Sequence, residues 1–190
     1  MKLSIAVLIV AAGMTVVSAQ PPRPAPKPAA AAAAKAGPAP VLTLDTVKGT
    51  IEIETFPEDA PKTVAHIVAL AKKNFYNGQR FHRAEENFLV QVGDPQSRDM
   101  SREGWWGRGP GSGNPIGVAE ITKKRRHAPG TVAMAHSGDP KFADSQFYIV
   151  MQPRPGLDGK YTIFGRVTSG MDVVKTLRRA DILKKVSVKE

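Results

Sequence analysis

The sequence predicts a mostly-β fold, a closed antiparallel barrel with two α-helices covering its open ends. Three observations predict it. Residues 41–190 carry a series of short runs with strand character, most of them followed by turn residues. Only two stretches show helical periodicity, and no internal repeat is present. Many short strands with few helices bury their apolar faces best by curling one sheet round a core.

The elements follow in order. Val41-Leu42-Thr43-Leu44-Asp45-Thr46 reads as a strand, Lys48-Gly49 as a turn, and Thr50-Ile51-Glu52-Ile53-Glu54-Thr55 alternates with period two, so the three form a hairpin. Asp59 is placed to cap a helix opening near Ala60-Pro61, where proline is tolerated. Val64, Ile67, Val68 and Ala71 make its apolar stripe, Lys72 and Lys73 suit its C-terminal end, and Asn77-Gly78 marks the next turn. Strand-like runs follow at Arg80–Arg83, Phe88–Val92, Thr131–Ala135, Gln146–Val150 and Ile163–Val167. A second helix is predicted over Met171–Arg179, with a last strand over Lys184–Val188. Residues 93–120 are rich in glycine, proline and charge and form the longest irregular stretch, the kind of loop that is functional or disordered.

Two segments stand apart from this fold. Lys2 precedes the apolar run Leu3–Val17, and Val17-Ser18-Ala19 ends in small residues, the layout of a secretory signal peptide cleaved after Ala19. The run is short for a span of about 20 residues, so cleavage is favoured over a retained anchor, and no stable membrane insertion is expected afterwards. Residues 20–40 are proline- and alanine-rich without aromatics and read as an extended, solvated linker. The predicted organisation is therefore signal peptide 1–19, disordered linker 20–40 and folded domain 41–190.

Composition narrows the chemistry. With 42% hydrophobic residues a real core can form. The absence of cysteine removes disulfides, a thiol nucleophile and thiolate metal sites. Of the 27 basic residues four precede residue 41, whereas all 17 acidic residues follow it, so the net charge of +10 falls to about +6 over 41–190. Lys123-Lys124-Arg125-Arg126-His127 has the look of an import or nucleic-acid patch, but the exported start argues for a solvated basic turn and no nucleic-acid partner. His66, His82, His127 and His136 show no metal-ligand spacing, so no metal site is predicted.

Three blocks of residues resemble the cyclophilins. The first is Phe75-Tyr76-Asn77-Gly78, then Phe81-His82-Arg83, then Asn87-Phe88-Leu89-Val90-Gln91-Val92-Gly93-Asp94. The second is Gly130-Thr131-Val132-Ala133-Met134-Ala135 with Ser145-Gln146-Phe147-Tyr148-Ile149, and the third Leu157-Asp158-Gly159-Lys160 with Phe164-Gly165-Arg166-Val167 and Gly170-Met171. The resemblance runs in order through residues 41–190. It implies a closed eight-stranded barrel capped by two helices, a substrate groove on the outside of the barrel, and peptidyl-prolyl cis/trans isomerase activity without cofactor. Proline-containing polypeptides would be the clients. A monomer is expected, acting in the cell envelope, most simply the periplasm.

The chemistry asks little of such a site. Rotating an X–Pro amide removes its resonance against a barrier of about 18–20 kcal/mol. No bond forms or breaks, so the protein must only bind the twisted amide better than either planar form. An apolar pocket for the ring and a fixed cationic donor suffice. Arg83 is the candidate for that donor, since its guanidinium stays protonated and offers a rigid fork of N–H groups. Phe88, Leu89, Tyr148 and Leu157 match the family's proline-pocket positions. Period-two alternation puts Gln146 and Tyr148 on one face of their strand, with Phe147 and Ile149 on the face toward the interior.

Gln91 and Gln146 match positions that bond substrate backbone or orient the arginine, and Ala135 and His136 match the edge that pairs with substrate. Tyr161 stands where the family has histidine and offers an O–H at the pocket rim. Gly156 stands where many members carry tryptophan, which predicts weak cyclosporin binding. Trp105-Trp106 in the long loop is either barrel packing or a wall for residues before the proline. The alternative to an enzyme is a proline-peptide-binding chaperone or envelope scaffold that keeps the groove with weak or no turnover.

Overall fold

The computed structural model describes residues 39–190. The expected signal peptide and all but the end of the linker lie outside the described residues. The described residues contain one antiparallel sheet of nine strands: β1 (Val41–Thr46), β2 (Gly49–Thr55), β3 (Gln79–Arg80), β4 (Arg83–Glu85), β5 (Leu89–Val92), β6 (Thr131–Met134), β7 (Phe147–Val150), β8 (Ile163–Ser169) and β9 (Ile182–Lys189). Helices α1 (Pro61–Lys72) and α2 (Met171–Thr176) complete it. The strand order is β3-β9-β1-β2-β8-β6-β7-β5-β4.

This corrects the closed eight-stranded barrel. The run Arg80–Arg83 is two strands, and they stand at opposite ends of the order. Phe81 is the reason. Its N–H donates to Asp181 O at 3.0 Å, its carbonyl accepts from Ala180 N at 2.9 Å, and its ring is fully buried. That anchors the chain beside β9, and after His82 it turns to pair Arg83 with Gln91 on β5. The sheet curls until its two edges are bridged by Phe81-His82, so the chain itself closes the ring and no ladder joins β3 to β4.

Polarity alternation divides the sheet into two faces. Val90, Val92, Val132, Met134, Phe147, Ile149 and Phe164 point into the main core beneath α1, with Tyr76 and Phe81. Their neighbours Leu89, Ala133, Tyr148, Val150 and Ile163 form a second apolar cluster on the outer face, with Phe56. A period of two residues produces this split without further instruction.

Helix α1 is not capped by Asp59. Ala60 is the N-cap and supplies no side-chain bond. Instead the Glu120 carboxylate accepts from Lys62 N at 3.0 Å and Thr63 N at 2.8 Å. This places negative charge on the positive end of the helix and satisfies two of its free donors. Asp59 is held elsewhere, by Arg125 Nε at 2.8 Å. Helix α2 stops at Thr176 rather than Arg179, because Leu177 turns to extended backbone and is buried, and Arg178 N bonds the Asp181 carboxylate at 2.8 Å.

The long loop is ordered by two carboxylates. Fully buried Asp94 accepts from Gln96 N at 2.9 Å and Gly107 N at 2.6 Å. Asp144 accepts from Ser112 Oγ at 2.5 Å and Gly113 N at 2.9 Å, and meets His66 Nε2 at 3.2 Å. Gly111 has φ +65°, and a Cβ there would lie 2.6 Å from the Asp144 carboxylate, so glycine permits the close approach.

Candidate active site

The antiparallel register β4-β5-β7-β6 brings the predicted residues together. Arg83 lies opposite Gln91, Gln91 opposite Tyr148, and Tyr148 opposite Ala133. All four share the outer face of the sheet. Around Tyr148, the second apolar cluster gathers Leu89, Phe88, Ala135, Leu157 and Tyr161. Leu89 and Tyr148 are nearly covered by their neighbours, whereas Phe88, Leu157 and Tyr161 remain half-exposed. The Tyr161 ring meets the Tyr148 ring edge-on at 5.5 Å.

Arg83 sits at the margin of this patch. Its guanidinium carbon is 5.5 Å from the centre of the Phe88 ring, and Arg154 approaches the same ring at 4.6 Å. Arg83 Nε donates to Glu85 Oε1 at 2.6 Å. Both Nη groups have no partner among the described residues, so the outer half of the fork is unengaged. Beside it His82 is 4% exposed, and burial pushes its imidazole down to about 4. It is therefore neutral at pH 7 and adds no second charge behind Arg83.

On the other side of Gln91 opens a cleft of about 320 Å³, lined by Gln91, Gln146, Ala135, His136 and the glycine-rich segment 107–111. Gln91 Nε2 donates to Gln146 Oε1 at 3.0 Å, and Gln146 Nε2 to Gly107 O at 3.2 Å. The two amides form one chain that leaves the Gln91 carbonyl oxygen free. Ala135 N donates to Gln146 O at 2.9 Å, so only its carbonyl is open to a peptide, a narrower offer than the sequence suggested. His136 Nε2 donates to Lys160 O at 3.1 Å, and its ring lies 4.7 Å from that of Tyr161.

The apolar cluster around Tyr148, the Arg83 guanidinium and the cleft beside Gln91 thus lie side by side. The family model for cyclophilin-type peptidyl-prolyl cis-trans isomerases matches residues 41–190. The chain belongs to the cyclophilin family. It is 38% identical over 138 residues to peptidyl-prolyl cis-trans isomerase B of Bacillus subtilis, covering 73% of this chain and 90% of the relative. It is 37% identical over 147 residues to the peptidyl-prolyl cis-trans isomerase of Helicobacter pylori, covering 76% and 83%. A Cryptosporidium parvum cyclophilin, crystallised in the presence of the dipeptide Ala-Pro, shares the fold with a TM-score of 0.69 at 24% identity, covering 79% of this chain and 99% of that one. The enzyme class is accordingly peptidyl-prolyl cis-trans isomerase.

Of the two readings of Trp105-Trp106, packing holds for Trp106, and the reading of the basic run changes. Trp106 is packing: it is buried, its Nε1 donates to Asp99 O at 3.1 Å, and Arg179 lies 5.1 Å from its ring. Trp105 is 63% exposed and does not line the cleft. The basic run 123–127 is not wholly a solvated turn. Arg125 pairs with Glu58 and Asp59, each at 2.8 Å, and stacks 3.5 Å from the centre of the Phe56 ring.

His127, read from the sequence as part of that turn, has a fully buried side chain. Its Nδ1 is 3.0 Å from Asp158 Oδ1 and its Nε2 3.0 Å from Tyr148 Oη. A histidine four residues before strand β6, with an aspartate beside Leu157, is the signal that points to it once the strand order is known.

Proposed function

We propose that this cyclophilin accelerates rotation about X–Pro bonds in unfolded or flexible polypeptides and thereby assists folding in the cell envelope. Arg83 stabilises the twisted amide while the proline ring rests on Phe88, Leu157 and Tyr161 above Leu89 and Tyr148. The observation that carries this reading is the unengaged Nη pair of Arg83 at the edge of the apolar patch. A twisted amide loses conjugation, so its lone pair is localised on a pyramidal nitrogen and its carbonyl changes polarity. A fixed guanidinium beside a water-poor surface interacts more strongly with that state than with either planar form. Gln91 and the Ala135 carbonyl hold the backbone before the proline. The Ala-Pro dipeptide present with the Cryptosporidium parvum relative supports proline peptides as ligands.

Exchange spectroscopy on an Ala-Pro-type peptide tests this. The wild type is expected to enhance cis–trans exchange, and Arg83→Ala to fold normally yet lose on the order of 10² in kcat/KM. Near-normal exchange with Arg83→Ala overturns the assignment. Gly156, standing where many members carry tryptophan, favours the rival reading of a binding module with weak turnover. Peptide binding without exchange in the wild type would establish it. Export rests on residues 1–19, and a mature protein whose mass begins at Gln20 is the expected result.

A further inference from the structure

We infer that His127 is a positioning residue of this site, holding the Tyr148 ring through its hydroxyl while Asp158 fixes the imidazole. The inference rests on the reading of Tyr148 as a wall of the proline pocket. His127 cannot touch a bound peptide, because its side chain is fully buried.

For a neutral imidazole the hydrogen-bond directions follow from the two partners. An ionised carboxylate only accepts, so the imidazole donates from Nδ1 to Asp158 Oδ1. A neutral imidazole then has a bare Nε2, which can only accept, so the Tyr148 hydroxyl donates to it. Burial pushes the Tyr148 phenol upward, which keeps that proton in place. Burial also pushes the Asp158 carboxyl upward, but hydrogen bonds from the His127 backbone, the His127 ring and Arg126 outweigh it and hold the group below its ordinary value. The same aspartate accepts from His127 N at 2.7 Å and Arg126 Nη1 at 3.2 Å, so it is anchored independently of the ring.

The line Asp158–His127–Tyr148 therefore leaves none of its buried polar groups unmatched. It also ties the pocket together, because Leu157 precedes Asp158 directly in the chain and Tyr148 comes from β7. Remove the imidazole and the tyrosine hydroxyl is stranded among apolar side chains. The ring must then swing to find water, and the wall moves with it. Tyr148 underlies Leu157 and Tyr161, which meet the proline ring in planar and twisted states alike, so the loss appears in KM rather than kcat.

A double-mutant cycle with the full-length protein and an Ala-Pro-type peptide tests this, using His127→Phe, Tyr148→Phe and both together, well below their melting temperatures. Expected are a KM raised about tenfold for His127→Phe with kcat within about twofold, and recovery to near the Tyr148→Phe value in the double variant. An unchanged KM in folded His127→Phe overturns the inference. So does an equal rise whether or not the tyrosine hydroxyl is present.

Should His127→Phe not fold, long-range proton–nitrogen correlation on the wild type decides. A ring protonated at Nδ1 supports the assignment and one protonated at Nε2 overturns it. Tyr148→Ala separates the two readings: an unchanged KM there removes Tyr148 from the pocket, whatever the cycle shows.

Discussion

His82 is a single residue whose burial has a consequence for the whole stability curve. The unfolded imidazole titrates near 6.5, and burial lowers the folded value to about 4. Above 6.5 both states are neutral and nothing is lost. As the pH falls from 6.5 toward 4 the unfolded chain takes a proton that the folded chain refuses, so stability drops by about 3 kcal/mol over that window. Urea unfolding at pH 7 and pH 4.5 should show this drop in the wild type and a smaller one in His82→Asn. Gly156 carries the second prediction at this scale. Nothing lies within 4 Å of where its Cβ would be. Gly156→Trp should therefore fold and tighten cyclosporin binding by about tenfold, measured by calorimetric titration. Alternation made the placing of Phe147 and Tyr148 on opposite faces legible from the sequence. The burial of His127 was not legible, because its partners stand 31 and 21 residues away and Lys-Lys-Arg-Arg-His looks the same in a solvated turn.

Elements show the same division between local and distant causes. The hairpin β1–β2 was readable because its turn and its alternation are contiguous, and Thr46 Oγ1 donating to Gly49 O at 2.7 Å seals it. The extent of α1 was readable from its stripe. Its cap was not, since Glu120 reaches Lys62 and Thr63 from 58 and 57 residues away while the adjacent Asp59 is engaged by Arg125. Glu120→Ala should therefore lower stability by about 1–2 kcal/mol in urea unfolding with little change in KM, since α1 packs on the core and not on the pocket. In the sequence, loop 93–120 reads as an irregular stretch, functional or disordered, because Asp94 and Asp144 order it by gathering backbone donors more than a dozen residues off.

For the molecule as a whole, β9 is the strand that sequence proximity undervalues. It lies between β3 and β1 and buries Leu183 and Val186 in the main core. A chain ending at Asp181 should lose cooperative unfolding altogether, which circular dichroism during a urea titration would reveal. The curled sheet follows from strand character and alternation, both present in the sequence. Its splitting at Phe81-His82 follows from contacts to Ala180 and Asp181 that only the folded chain brings together. The junction also leaves the sheet with two very short margins. At one, Gln79–Arg80 has its outward Arg80 N–H already taken by Ser97 Oγ at 2.9 Å. At the other, Arg83–Glu85 presents a charged pair. The two margins thus expose almost no template onto which a further chain could zip as a tenth strand.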